Sequence, residues 1–180
     1  MKLHLGCWHR YIPGFIHIDL CELDHIDYKS DIGELSFIKE NSVDYIYCSH
    51  ALEYKDYFEV KNVLNEWRRV LKPNGMLRIA VPDFNKLIWL YKKTNDIKKI
   101  IGPLYGRMVI NESEKIYHKT AFDFDKIKEL LKEGKFKKIK KYDWRNTEHS
   151  EIDDHSQAYY PQMDKNNGTL ISLNVECIKI

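Results

Sequence analysis

The sequence predicts one α/β domain built on a mainly parallel sheet. Strand-like and helix-like segments alternate along most of the 180 residues, which is typical of parallel strands joined by helical crossovers. No repeat, low-complexity segment or linker divides the chain, and its length suits a single hydrophobic core. The last strand-like segment, 169–180, follows a long loop and an Asn-Asn-Gly turn signal. We therefore expect this last strand to run antiparallel to its neighbours.

Three strand-like segments open the chain, at 2–6, 15–20 and 25–30. Only about ten residues separate the first two, which is barely enough for a parallel crossover. The first helix is therefore expected to be very short or replaced by a loop. The segment "GELSFIKEN", 33–41, is predicted to form a short helix. "SVDYIYCS", 42–49, is rich in β-branched and aromatic residues and predicts a strand that ends in a polar loop.

The middle of the chain carries the clearest helix pattern. Apolar residues recur at helical spacing over 60–71, and "KPNG" at 72–75 is expected to end that helix. "MLRIAVP", 76–82, is the next predicted strand. Asp83 follows it and is a suitable N-cap for a helix over 84–93.

Residues 96–121 are less regular and are predicted to form an insertion over the sheet, suited to a lid or an acceptor pocket. Asp123 or Asp125 should begin a further helix that ends near Gly134. Lysines alternate with apolar residues in the strand predicted at 136–143. This pattern favours a solvated edge strand, in which lysines prevent edge pairing, over a site for polyanions.

Composition argues against several broad classes of protein. A net charge of +2 provides no strong field for nucleic acid or an anionic membrane. The four cysteines have no C-x-x-C spacing, and no signal peptide or apolar run of about 20 residues is present. We therefore expect reduced thiols, no membrane insertion and a soluble cytoplasmic protein.

Small and polar residues cluster where the predicted strands end. In open parallel sheets, ligands bind beyond the carboxyl ends of the strands. Gly6 permits a tight turn and close backbone approach, Asp19 is placed to accept hydrogen bonds from a ribose diol, and Asp31 from an adenine amino group. Either acid alone is also common as an ordinary polar residue at a strand end. The set at the strand ends comprises Gly6, Cys7, Trp8, Asp19, Asp31, Ser49, His50, Pro82 and Asp83.

Five segments together resemble the class I S-adenosylmethionine (SAM)-dependent methyltransferases, particularly small bacterial members linked to surface-polysaccharide biosynthesis. They are "LHLGC", "IPGFIHIDL", "SVDYIYCSHALEY", "YHKTAFDFDKIKELLKEGKF" and, most specific of all, "VLNEWRRVLKPNGMLRIAVPDF". The resemblance implies a Rossmann-like seven-stranded sheet with helices on both faces and the last strand antiparallel. It also implies that SAM is the cofactor and S-adenosylhomocysteine the product. The cofactor-binding residues implied are Gly6, Cys7, Trp8, Asp19, Leu20, Asp31, Ile32, Ser49 and His50.

Trp8 departs from the family pattern, which has glycine at this position. A positive φ would strain tryptophan, because its Cβ crowds the backbone there. Three outcomes are open: the loop takes another path, the indole lines the pocket and can face the sulfonium as a cation–π partner, or cofactor binding is lost. A nicotinamide cofactor is disfavoured, because Trp8 and Tyr11 replace glycines of the G-x-G-x-x-G motif.

Methyl transfer to a hydroxyl needs a base, and histidine suits that role near neutral pH. His50 and His118 are the catalytic candidates, and His149 and His155 are further histidines that could reach the cleft. The loop over 144–168 is dense in polar residues and suits a sugar-like acceptor. Its histidines and acids lack zinc-ligand spacing, so no metal site is predicted. The predicted acceptor-binding residues are His118, Arg145, His149, Asp153 and Asp154.

These residues lead to the expectation of a SAM-dependent methyltransferase, a single domain over 1–180, acting on an oxygen of a small polar acceptor. The alternative is a non-catalytic Rossmann-like binding or partner subunit whose SAM binding is weakened by Trp8. A nucleic-acid substrate is not expected, because "SHAL" after the fourth strand lacks the Asn/Asp-Pro-Pro-aromatic run that DNA amino-methylating enzymes use. Replacing Asp19 with alanine is expected to weaken SAM binding and to leave folding nearly intact.

Overall fold

The computed structural model describes residues 1–180 and contains one seven-stranded sheet. The order across the sheet is β3-β2-β1-β4-β5-β7-β6, and β7 runs antiparallel to both of its neighbours while the other pairs are parallel. The predicted sheet and its antiparallel last strand are confirmed. The strands are β1 (Lys2–Leu5), β2 (Ile16–Asp19), β3 (Tyr28–Lys29), β4 (Val43–Ser49), β5 (Leu71–Pro82), β6 (Phe136–Lys141) and β7 (Ser172–Lys179).

Four helices accompany the sheet, and aspartates cap three of them. Asp56 and Glu59 form a reciprocal capping box at the start of the longest helix, and Asp83 and Asp123 cap two others through backbone N–H groups. The predicted starts after Asp83 and Asp123 are therefore confirmed. The helices are α1 (Tyr57–Val70), α2 (Phe84–Thr94), α3 (Ile101–Tyr105) and α4 (Phe124–Glu133).

The two faces of the sheet are covered differently. On one face, α1 and α4 pack against the strands around a core of 27 buried residues that includes Trp67 and Ile46. Tyr45 and Tyr47 alternate with Ile46 along β4 and point to the opposite face, since successive side chains of a strand point in opposite directions. There they pack with Ile12 and Phe15, from the loop between β1 and β2. As predicted, a loop and not a helix joins these first two strands.

The predicted helix over 33–41 is wrong, because this segment forms successive turns. One backbone hydrogen bond, from Ile38 N to the Leu35 carbonyl oxygen at 2.8 Å, closes a turn within it, and side chains of α1 bond other backbone carbonyl groups here. The guanidinium of Arg69 donates to the carbonyl oxygens of Leu35 and Ile38 at 2.8 and 3.0 Å, and Trp67 Nε1 donates to the carbonyl oxygen of Ile32 at 2.7 Å. These tertiary hydrogen bonds satisfy the backbone and override the local helix pattern.

Two other boundaries differ from the sequence-based prediction. The third strand is only two residues long and exposed, and β5 begins at Leu71, directly after α1, with a register shift near its start. The lysine-rich strand β6 lies at the sheet edge, as predicted, with Phe136 buried and its four lysines exposed. The four cysteines are buried and free. None of the helices combines the length and the apolar composition needed to cross a bilayer.

Candidate functional site

A cavity of about 630 Å³ opens where the carboxyl ends of β1, β2 and β4 meet. This is the edge at which open α/β sheets bind ligands, and the volume lies in the ordinary range for small-molecule sites. All nine residues that the sequence suggested for the cofactor lie in its wall: Gly6, Cys7, Trp8, Asp19, Leu20, Asp31, Ile32, Ser49 and His50.

The turn after β1 approaches the loop after β4 very closely at Gly6. Gly6 has a φ of +65°, and a Cβ at this position would lie 2.3 Å from the Cβ of Ala51. Any larger residue would therefore push the two loops apart. This close approach shapes the floor of the cavity.

Trp8 adopts a left-handed backbone conformation, which normally favours glycine. Its φ is +44°, which costs a non-glycine residue about 1–3 kcal/mol. The indole lines the cavity and is 37% exposed, and the Arg10 guanidinium carbon lies 5.4 Å from its ring centroid. Of the three outcomes considered above, the loop does not avoid the strained conformation, and the ring forms part of the cavity wall.

Asp19 fixes this loop from the end of β2. Its side chain is 4% exposed, and its two oxygens accept hydrogen bonds at 2.8 Å from the backbone N–H groups of Trp8 and Cys21. Each carboxylate oxygen can accept a further bond. Asp31 is held similarly, by Gly33 N at 2.8 Å and by the Lys55 ammonium at 2.6 Å. Two oriented carboxylates in one cavity wall can accept hydrogen bonds from the hydroxyl or amino groups of a ligand.

The insertion over 96–121 covers the other side of the cavity. Two short antiparallel strands, Met108–Val109 and Lys115–Ile116, form a ribbon within it. The ribbon and its flanks contribute Arg107 and Glu114 to the wall, and the Val109 carbonyl oxygen lies 4.0 Å from Cys21 Sγ. The insertion thus reaches across to the loop that follows Asp19.

His50 lies in the wall directly after β4, but both of its ring nitrogens face protein groups. Nε2 lies 3.0 Å from Ser172 Oγ and Nδ1 lies 3.4 Å from Glu53 Oε1. Burial lowers the pKa of His50 well below its ordinary value, and His155 and His118 lower it further. Neither nitrogen is free to take a proton from a substrate in this arrangement.

His118 is not among the residues that line the cavity. Its ring packs on Gly106, its Nδ1 lies 3.1 Å from the carbonyl oxygen of Pro103, and its Nε2 faces Glu53 Oε1 at 3.7 Å. Burial lowers the pKa of His118. The structure therefore places it behind the wall, beside Glu53 and the Tyr54 ring.

Only one of the acceptor-side residues proposed in the loop over 144–168 lines the cavity. Asp154 lies in the wall and accepts a hydrogen bond from the Tyr47 hydroxyl. Arg145 instead donates to the Tyr159 hydroxyl, Asp153 pairs with a lysine at the surface, and His149 is buried 4.1 Å from the Tyr47 ring. These three side chains stabilise the loop and do not face the cavity.

Two further polar residues lie in the wall: Arg10, which the sequence analysis did not select, and His155, which it named as able to reach the cleft. Arg10 Nε donates to the backbone carbonyl oxygen of Asp153 at 3.2 Å, and its guanidinium lies over the Trp8 ring. His155 begins a helical turn capped by Asp154, and its ring lies 5.3 Å from that of His50. The His155 side chain makes no hydrogen bond to the protein. In the sequence, Asp154 followed by His155 and Ser156 is typical of a helix N-cap, and this pattern is the signal that could have located the turn carrying His155.

Comparisons with known proteins agree with this architecture. A family model described as a methyltransferase domain matches residues 18–79. No curated protein sequence gives a significant match. A SAM-dependent methyltransferase from Archaeoglobus fulgidus has a TM-score of 0.58 at 16% identity, over 99% of this chain and 85% of that chain. One from Methanosarcina mazei has a TM-score of 0.56 at 17% identity, over 99% and 92% of the two chains.

A third solved structure shows the same fold with ligands bound. It is the Burkholderia thailandensis 1,6-didemethyltoxoflavin-N1-methyltransferase with its substrate and S-adenosylhomocysteine, at 15% identity and a TM-score of 0.53, over 99% of this chain and 70% of that chain. At these identities the likeness establishes the fold. The chain thus has the fold of these SAM-dependent methyltransferases, with its cavity at the carboxyl ends of the parallel strands, and a methyltransferase-domain model matches part of it, residues 18–79.

Proposed function

We propose that this chain transfers the methyl group of SAM to a hydroxyl oxygen of a small, polar, sugar-like acceptor, as in surface-glycan assembly. The observation that carries this proposal is one cavity with two oriented carboxylates, Asp19 and Asp31, and an unbonded histidine, His155. Bound SAM supplies a methyl group on a positively charged sulfur. The protein residues have to hold the reactants in line and accept the proton of the hydroxyl.

His155 is the base in this proposal, in place of His50 and His118. Both nitrogens of those two rings face protein groups, whereas His155 lies in the wall with neither nitrogen bonded. Desolvation lowers the pKa of His155 from its ordinary value, and the Arg10 guanidinium lowers it further. The ring is therefore uncharged at neutral pH and able to accept a proton.

Charged groups of both signs support a polar acceptor. Arg10 and Asp154 flank His155 along the wall, and Arg107 and Glu114 face the cavity from the insertion. Such groups can donate to and accept from several hydroxyls, as sugar recognition requires. The choice of oxygen rests on the need for a base and on the resemblance to polysaccharide-linked members. The Burkholderia neighbour methylates a ring nitrogen, so nitrogen acceptors are the relevant competitors.

An acceptor panel tests the oxygen assignment. We expect S-adenosylhomocysteine to form faster with hydroxylated sugars or nucleotide sugars than with matched amino sugars. The neutral histidine can accept the proton of a hydroxyl as it attacks, whereas an amino group is protonated at neutral pH and has no lone pair. Release of S-adenosylhomocysteine and the mass of the product measure this. Methylation confined to the amino group of an amino sugar would contradict the proposal.

The non-catalytic alternative is favoured by one observation, the strained tryptophan in the cofactor loop. Titration calorimetry with SAM on the wild type and on Trp8→Gly separates the two functions. We expect the wild type to bind, and the variant to differ by less than about tenfold in affinity, because Trp8 already has the backbone path of glycine. If only Trp8→Gly binds SAM, the wild-type chain is a non-catalytic subunit.

A further inference from the structure

Glu53 is a carboxyl group buried beside the cavity without any hydrogen-bond partner. It lies on the short helical turn Leu52–Tyr54 that follows β4, and it is 1% exposed. Neither of its side-chain oxygens makes a hydrogen bond. A buried, unpaired carboxylate is strongly unfavourable, so this group must be protonated or closely paired with a cation.

No lysine or arginine side chain pairs with Glu53. Lys119 and Thr120 donate only their backbone N–H groups to the Glu53 carbonyl oxygen, and the Lys119 ammonium is bound to Glu59 at 3.2 Å. The groups that face the carboxyl are imidazoles, His50 Nδ1 at 3.4 Å and His118 Nε2 at 3.7 Å. The other titratable groups affected by its charge are Cys48 and Tyr54, whose pKa values burial raises first and Glu53 second. His155 acts on His50 and His118 from across the wall.

A chain of hydrogen bonds fixes the proton on the His50 ring. Asn174 Nδ2 donates to the Ser156 carbonyl oxygen at 2.8 Å, so Asn174 Oδ1 is an acceptor. The Ser172 hydroxyl lies 2.9 Å from that oxygen and must donate its only proton to it. His50 Nε2, at 3.0 Å from Ser172 Oγ, must therefore be the donor of its own bond. In the neutral ring, Nδ1 then carries a lone pair, and this nitrogen lies 3.4 Å from Glu53 Oε1.

A hydrogen bond also fixes the position of the proton on the His118 ring. Its Nδ1 lies 3.1 Å from the carbonyl oxygen of Pro103, which can only accept, so Nδ1 carries the proton. The Nε2 lone pair of the neutral ring points to Glu53 at 3.7 Å. A charged Glu53 would face two nitrogen lone pairs, which is repulsive on both sides.

We propose that Glu53 is an uncharged carboxylic acid at neutral pH that donates its proton to Nδ1 of His50 and thereby positions this imidazole in the cavity wall. The wall behind His50 is then electrically neutral, whichever acceptor the cavity takes. Two effects agree with the acid form and oppose an ion pair. Burial raises the pKa of Glu53 to about 8, and burial lowers the pKa of His50.

The pH dependence of stability tests the acid form. A carboxyl whose pKa is higher in the folded than in the unfolded chain contributes stability that is lost as pH rises towards the folded value. We expect the wild-type Tm, taken relative to that of Glu53→Gln at each pH, to fall by about 4–8 °C between about pH 6.5 and pH 8.5. The difference is used because other groups titrate alike in both proteins. The buried histidines with lowered pKa values gain stability over this range, and the buried thiols, with pKa values raised to about 12 for Cys7 and about 11 for Cys21, begin to lose it near pH 8.5.

Two variants give the scan its controls. Glu53→Gln keeps a donor for His50 Nδ1 and removes only the titration of Glu53, so its Tm should gain on that of the wild type as the pH rises. Glu22→Gln, which changes an exposed carboxylate paired with Lys29, should follow the wild type. A difference in Tm between the wild type and Glu53→Gln that stays constant over the range would overturn the proposal.

Nitrogen-15 NMR of the histidine rings provides a direct measurement on the unaltered protein. We expect His50 in the wild type and in Glu53→Gln to be neutral at pH 7, with its proton on Nε2. In Glu53→Ala, we expect the proton to stay on Nε2, which the Ser172 hydroxyl still fixes, and the Nδ1 resonance to move to that of an unbonded imidazole nitrogen. A doubly protonated His50 in the wild type at pH 7 would show an ion pair and refute the acid form, even if a variant failed to fold.

Discussion

Replacing Asp19 with alanine or asparagine is expected to lower the affinity for SAM by at least about 100-fold. Asp19 ends β2 in the cavity wall, with its carboxylate held by Trp8 N and Cys21 N and able to accept two further bonds. In our proposal it accepts from the ribose diol, and a charge-assisted hydrogen bond contributes about 1.5–3 kcal/mol. Loss of two such bonds corresponds to two orders of magnitude or more in Kd, measured by titration calorimetry with SAM and with S-adenosylhomocysteine.

The structure changes what we expect for the stability of the alanine variant. From the sequence, folding should be nearly intact, but Asp19 is buried and satisfies two backbone N–H groups. We now expect Asp19→Ala to lower the free energy of unfolding by about 1–3 kcal/mol. Urea unfolding of the ligand-free protein measures this separately from binding. Asp24→Asn, at an exposed position outside the cavity, is the control. An unchanged SAM affinity in folded Asp19→Ala would show that the ribose lies elsewhere.

The cofactor side of the cavity could be predicted because strand ends are encoded locally. Hydrophobic strand patterns locate the carboxyl ends of β1, β2 and β4, and parallel pairing brings those ends to one edge. The nine residues that the family resemblance implied for the cofactor, which lie at or next to these strand ends, all line one cavity. Sequence position thus determined which residues meet, although the roles of the individual side chains remain proposals.

The acceptor side was less predictable, because it is built from loops whose side-chain directions depend on tertiary contacts. His118 and His149 were selected for their residue type, yet His118 packs on Gly106 and His149 on Tyr47. The burial of Glu53 could not be predicted either. It is a single polar residue between Leu52 and Tyr54, in a turn that the sequence indicates only as a loop. The same limitation explains the helix wrongly predicted at 33–41.

Trp8 shows how a local rule can identify a strained position without deciding its outcome. The rule that tryptophan is strained at positive φ is correct, but the loop nevertheless adopts a φ of +44°. Surrounding contacts hold it there: the bond from Trp8 N to Asp19 and the close approach of Gly6 to Ala51 fix the path on both sides. These contacts stabilise the loop and offset the backbone strain at Trp8. Strained residues of this kind are common in functional loops.

Replacing His155 with alanine is expected to lower kcat by about 10²- to 10⁴-fold, the usual contribution of a general base. Its ring lies in the cavity wall with neither nitrogen bonded to the protein, and the cap from Asp154 to Ser156 N at 2.8 Å fixes the turn that carries it. In the proposed reaction His155 acts on the acceptor, whereas Asp19 and Asp31 bind SAM. The affinity for SAM should therefore change by less than about threefold in His155→Ala. Single-turnover assays with the acceptor that supports turnover, combined with SAM titration, separate these two effects.

The pH profile distinguishes a base from a residue that only shapes the cavity. A base works in its neutral form, and the pKa of His155 is lowered by desolvation and by Arg10. The wild-type rate should therefore be constant through neutral pH and fall only at acid pH, below the ordinary histidine value of about 6.5. His155→Gln should lack this acid limb, whereas His9→Ala, which removes an exposed histidine outside the cavity wall, should retain it. An unchanged kcat in folded His155→Ala would contradict the assignment of His155 as the base.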